Sequence, residues 1–115
     1  MRSIILSFYN NRCVTMHPHI QQIPDHNLIL SLIRVFFPTA RIILYGSRAR
    51  GTNTERSDVD IAIDAGTRQS IHLMAQVREV LEGLNTLNKI DLVDFNGISE
   101  QLRQQITQDG ITWEN

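Results

Sequence analysis

The chain has 115 residues, 42% of them apolar, and a formal net charge of −1, with eleven basic residues facing twelve acidic ones. That length and apolar share give one globular domain with a modest core and exclude a disordered chain. The near-neutral balance excludes a protein that coats duplex nucleic acid through bulk positive charge.

A single cysteine, Cys13, leaves no internal disulfide and fits a reducing compartment; no His or Lys beside it in sequence activates it. No apolar run approaches a membrane span, and the start is too polar after Leu6 for a secretory signal, so the expected location is the cytoplasm. The first fifteen residues show no period beyond Ser3–Leu6, and Met16 follows at once. They read either as an extension upstream of the compact unit or as an edge strand from Ser3 to Tyr9. The division drawn is an N-terminal extension over residues 1–20 and the domain over 21–115.

From Asp25 the pattern is helical: Leu28, Ile29, Leu32, Ile33, Phe36 and Phe37 form one stripe, with Asp25 as N-cap and Pro38 as stop. The stripe is core by default, and any excess apolar area on it would form a dimer or partner surface. RIILYG reads as a short buried strand ending at Gly46, followed by a polar stretch to Ser57 that holds a helical turn and a loop. DVDIAID is a second strand, and Leu73, Val77, Val80, Leu81 and Leu84 mark the next helix. KIDLVDF is a third strand bounded by Asn96-Gly97; Ile98, Leu102 and Ile106 give a last helix, and GITW a closing strand. The order implies an α/β domain with a mixed sheet and helices packed mainly on one face. His17 and His19 read as polar terminal residues rather than metal ligands, and His72 as a partly buried structural residue.

The chemistry concentrates at Gly46–Asp64, GSRARGTNTERSDVDIAID. On a strand Asp58 and Asp60 share one face, about 7 Å apart, with Val59, Ile61 and Ile63 on the other. Unscreened, the two charges oppose one another; a hard divalent ion such as Mg²⁺ reconciles them. A D-x-D pair by itself also arises from ordinary strand alternation, so its neighbours decide. Gly46 permits close backbone approach, the turn's free amides and the Ser47 hydroxyl suit phosphate oxygens, and Arg48 and Arg50 offer charge-assisted contacts. Asp91 adds a carboxylate between Ile90 and Leu92, an expensive placement unless a cation meets it. Asp94, three residues on, falls on the opposite face of a regular strand, which favours Asp91 as the third carboxylate.

Gly46-Ser47, ten residues, then Asp58-Val59-Asp60 resembles the G-S-x10-D-x-D signature of the DNA polymerase beta superfamily of nucleotidyltransferases. With YGSRARG, SDVDIAID and IDLVDF in order, the stretch from Asp25 to Trp113 is similar to the minimal nucleotidyltransferases (MNT proteins) encoded beside HEPN-domain partners. The resemblance implies a nucleotidyltransferase fold and assigns Gly46, Ser47 and Arg48 to the nucleotide's phosphates. It assigns Asp58, Asp60 and Asp91 to catalysis and to two Mg²⁺ ions, and ATP as donor. It further implies transfer of AMP to a tyrosine hydroxyl of a HEPN toxin, for which this chain would be the antitoxin. Two other readings stay open: a nucleotidyltransferase acting on a small-molecule or nucleic-acid acceptor with a helper subunit, and an antitoxin that works by occlusion alone.

Overall fold

A computed structural model of the chain describes residues 5–9 and 12–113. Strand β1 (Ile5–Tyr9) pairs antiparallel with β2 (Arg12–Met16), Ile5 opposite Met16 and Tyr9 opposite Arg12, as a separate two-stranded sheet. The start of the expected strand at Ser3 and the Cys13 side chain lie outside the described residues. A one-turn helix α1 (Pro18–Gln21) follows, its start set by Pro18 at the first helical position and by His17 as N-cap. Met16, Ile20 and Ile23 are buried in the main core, so packing reaches back across the division drawn at residue 20.

Helix α2 (His26–Phe36) buries Ile29 and Ile33. Asp25 does precede it, but at φ 60°, ψ 26°, with no side-chain capping bond; its carbonyl accepts the first helical bond, from Ile29 N. Aspartate tolerates this left-handed position better than most residues. Arg34 closes the helix by donating to the carbonyls of Phe37 and Ala40, which leads the chain through Pro38 into β3 (Arg41–Tyr45). The one-turn helix α3 (Ser47–Arg50) comes next, then a loop and β4 (Val59–Asp64). Helix α4 (Ile71–Glu82) starts at Ser70, whose hydroxyl accepts from Leu73 N. Strand β5 (Ile90–Asp94), helix α5 (Glu100–Asp109) and the two-residue β6 (Ile111–Thr112) complete the unit.

The main sheet has the order β5-β4-β3-β6, with β4 and β5 parallel and the other pairs antiparallel. Strand alternation sorts its residues into two layers. Ile42, Leu44, Val59, Ile61, Ile63 and Leu92 join α2 and α4 in the larger core, with Trp113. Ile43, Ala62 and Ile106 form the smaller core under α5 on the opposite face. Each fully buried large aliphatic side chain stabilises the fold by about 1.5–3 kcal/mol relative to exposure. Arg78 of α4 donates to the Leu92 carbonyl, which guards the outer edge of β5 against further pairing. His72 is exposed, not partly buried as the helical pattern suggested, because α4 turns Met74, Val77 and Leu81 inward. Val35, 77% exposed, and Leu28 leave apolar area on the outside of α2.

Candidate active site

The register of three strands assembles the site. Tyr45 at the end of β3 pairs with Asp60 on β4, and Asp60 pairs with Asp91 on β5. Cross-strand partners share a face, so these three side chains form a row on the α5 side, adjacent strands being about 4.8 Å apart. Asp58 stands one residue ahead of β4 and is exposed; Asp91 is exposed and Asp60 half-buried. Asp91 thus shares the face of Asp60, as strand alternation implies, but its carboxylate meets solvent rather than an apolar interior.

Charges of one sign meet here. Burial raises the Asp60 pKa above its ordinary value, Asp91 and then Asp58 raise it further, and Arg50 and Lys89 pull it back only in part. The Tyr45 phenol is pushed up to about 12, first by burial and then by Asp60 and Asp91. This is the electrostatic signature of a cluster that suits a cation. Among the described residues, no three acidic, histidine or cysteine side chains converge tightly enough to cage a metal ion by themselves. An open set of carboxylate oxygens fits Mg²⁺, which retains waters and takes its remaining ligands from phosphates.

Gly46 joins the turn to this row. Its backbone, at φ 75°, ψ −157°, lies in a region open essentially to glycine, and a Cβ there would collide with the Asp60 carboxylate. The Gly46 carbonyl accepts from Ala49 N and Arg50 N. The first two amides of α3, on Ser47 and Arg48, are therefore the ones with no intrahelical partner. Gly46, Ser47, Asp58, Asp60 and Asp91 are brought to one end of the sheet.

Arg48 is not. It is 4% exposed, and its guanidinium donates from Nε to the Ser57 carbonyl (3.2 Å) and from Nη2 to the Glu55 carbonyl (3.4 Å). Asn88 braces the same loop from the other side, donating to Glu55 O (2.6 Å) and Ser57 O (3.3 Å). Arg48 and Asn88 line a cleft of about 690 Å³ with Gln22, Asn53 and Leu87, among which no carboxylate of the row occurs. The arginine that acts on Asp60, ahead of Lys89, is Arg50, whose Nη1 lies 3.8 Å from Asp109 Oδ2. The helical spacing signals the difference: Arg50 is three residues after Ser47 and shares its face, whereas Arg48, one residue on, turns away.

Asp94, the rival third carboxylate, is structural. It is 6% exposed and accepts from Gln69 N (2.7 Å) and Asn96 N (3.1 Å), which ties the β4–α4 connection to the turn after β5.

Residues 29–112 match the family described as polymerase beta, nucleotidyltransferase. The chain is 33% identical over 88 residues to the protein adenylyltransferase MntA of Shewanella oneidensis, covering 75% of this chain and 62% of that protein's length. A chain in a toxin–antitoxin crystal structure with AMP-PNP is 32% identical, with TM-score 0.64, over 77% of this chain and 73% of that one. A chain from the complex of a tri-AMPylated Shewanella oneidensis HEPN toxin with MNT antitoxin is 28% identical, with TM-score 0.59, over 77% and 69%. No helix of the described residues is long and apolar enough to cross a membrane. The carboxylate row, the glycine-serine turn and these likenesses lead to one assignment: the chain belongs to the polymerase beta nucleotidyltransferase family.

Proposed function

We propose that this chain is an Mg²⁺-dependent adenylyltransferase that moves AMP from ATP to a tyrosine hydroxyl of a HEPN-domain partner, and so acts as the partner's antitoxin. The observation that carries the reading is the in-register pairing of Asp60 with Asp91 directly beside the Gly46-Ser47 turn. The partner class comes from the MNT–HEPN complexes among its structural relatives, and the donor from the AMP-PNP complex.

The α3 amides, the Ser47 hydroxyl and Arg50 hold the β- and γ-phosphates, which leaves the α-phosphate over Asp60. Asp58, Asp60 and Asp91 would hold two Mg²⁺ ions, which would supply charge neutralisation and lower the pKa of the attacking hydroxyl. Asp91, at the exposed edge strand, faces the incoming acceptor and takes part in removing its proton. Transfer forms the bond from the tyrosine oxygen to the α-phosphorus and breaks the α-phosphorus–bridging oxygen bond, releasing pyrophosphate. The Arg48 side chain and Asn88 keep the loop before Asp58 in place, while the Arg48 backbone amide stays with the turn. Met16 and Ile20 pack into the main core, so the domain reaches back at least to Met16.

Intact-mass spectrometry of the HEPN partner after incubation with this chain, Mg²⁺ and ATP tests the reading. The expected gain is about 329 Da per adenylyl group, absent with Asp58→Asn. A stable complex with no gain in mass, formed equally by the variant, would replace catalysis by occlusion.

A further inference from the structure

The nucleotide-binding turn is held from outside by a segment that lies upstream of the family match. Helix α3 has four residues, too short to hold its own shape in water. Its Ala49 carbonyl is buried with the rest of that residue and accepts from His19 Nδ1 at 3.0 Å. The His19 ring also covers the turn's end: a Cβ on Gly51 would stand 3.2 Å from His19 Cε1 and 3.3 Å from Nε2. Gly51 itself needs glycine, at φ 76°.

His19 is in turn held on both sides. Its backbone N–H donates to His17 Nδ1 at 3.0 Å, and the two rings meet edge to face with centroids 4.7 Å apart. The next residue, Ile20, is anchored in the core. A side chain locked by its neighbours therefore caps the far end of α3, while the near end carries Ser47 and the same face carries Arg50.

We infer that His19 is a positioning residue for nucleotide binding: its Nδ1–H fixes the Ala49 carbonyl so that Ser47 and Arg50 are presented together to a polyphosphate. The inference rests on the nucleotide reading above and extends the functional unit to residues 17–20, which the matched residues 29–112 do not include.

The test compares His19→Ala, His19→Asn and His19→Gln by amide hydrogen exchange at residues 47–52 without nucleotide, and by the Kd for Mg²⁺·AMP-PNP. Asparagine places an amide N–H close to where Nδ1 stands; glutamine carries the same donor one methylene too far. His19→Ala and His19→Gln are expected to speed exchange and weaken binding about fivefold to tenfold, the worth of one placed hydrogen bond. His19→Asn is expected to restore both. Equal affinity in all variants would overturn the inference, as would an affinity that follows the melting temperature regardless of donor placement. Should the alanine variant fail to fold, the asparagine and glutamine pair decides. A wild-type chain with no affinity for Mg²⁺·AMP-PNP would instead overturn the nucleotide reading beneath it.

Discussion

The two ends of the parallel pair β4 and β5 both carry aspartates, and they treat them in opposite ways. At the start of the strands Asp58, Asp60 and Asp91 stand together, and Asp60 is raised above its ordinary pKa by burial and by the other two. At the far end Asp64 accepts from Gly66 N (3.0 Å) and Asn96 Nδ2 (2.9 Å), and Asp94 accepts from two backbone amides. The Asn96 hydrogen bond, chiefly, holds the Asp64 carboxyl below its usual value. Asp64 and Asp94 are supplied with donors by the fold; the Asp58, Asp60 and Asp91 group is left open for a cation to neutralise.

Removing a charge should therefore act in opposite senses at the two ends. The largest effect is expected from Asp60→Asn: adenylyl transfer falls on the order of a thousandfold, about 4 kcal/mol of barrier, while the folded chain without Mg²⁺ gains stability at neutral pH. The sign follows from linkage. The raised pKa means that ionised Asp60 costs the folded state; the cost is absent below the ordinary carboxylate range and grows as pH rises through the folded-state pKa. A calorimetric melting temperature that falls in Asp60→Asn at pH 7 would break the comparison.

Asp94→Asn should do the reverse. It replaces an acceptor of two amide hydrogen bonds by a group that presents its own N–H₂ to one of them, a loss of about 2 kcal/mol in urea unfolding. Transfer per folded molecule should stay unchanged.

The arginine pair sharpens the same contrast beside the sheet. Arg50→Ala should raise the KM for ATP about tenfold with little change in melting temperature, since its partner Asp109 is reached only at 3.8 Å on the surface. Arg48→Ala should lower stability by about 1–2 kcal/mol, through the lost bonds to Ser57 and Glu55, before any change in affinity is counted.

The smallest effect belongs to Asn96→Ala. A carboxyl-resolved NMR titration should show Asp64 returning toward its ordinary pKa. The stability that Asp64 contributes above that value, lost as pH falls through its depressed pKa, should shrink accordingly.

Much of the site was legible because it is written in local patterns. Gly46-Ser47 followed by Asp58 and Asp60 depends on spacing along one stretch of chain, and strand alternation alone separates Asp91 from Asp94. The apolar periods of α2, α4 and α5 likewise located the helices, since each buries one face. Arg48 and Arg50 were harder: both follow the same serine, and only the helical phase of a four-residue turn tells which one faces the carboxylates. The same holds for Asp25, whose residue type suits an N-cap but whose side chain, on a left-handed backbone, makes no capping hydrogen bond.

By itself the sequence determined the element order from Asp25 onward and the family, and it picked out Gly46, Ser47, Asp58, Asp60 and Asp91 as the candidate set, because periodicity and motif spacing are properties of neighbouring residues. The tertiary structure decided the rest: that Asp60 lies in register with Asp91, that Arg48 is buried while Arg50 acts on Asp60, that Asp94 accepts from two backbone amides, and that Met16 and Ile20 pack into the main core while His19 reaches the Ala49 carbonyl. Those outcomes depend on which strands pair and which surfaces meet, and contacts between residues far apart in the chain leave no mark in local pattern.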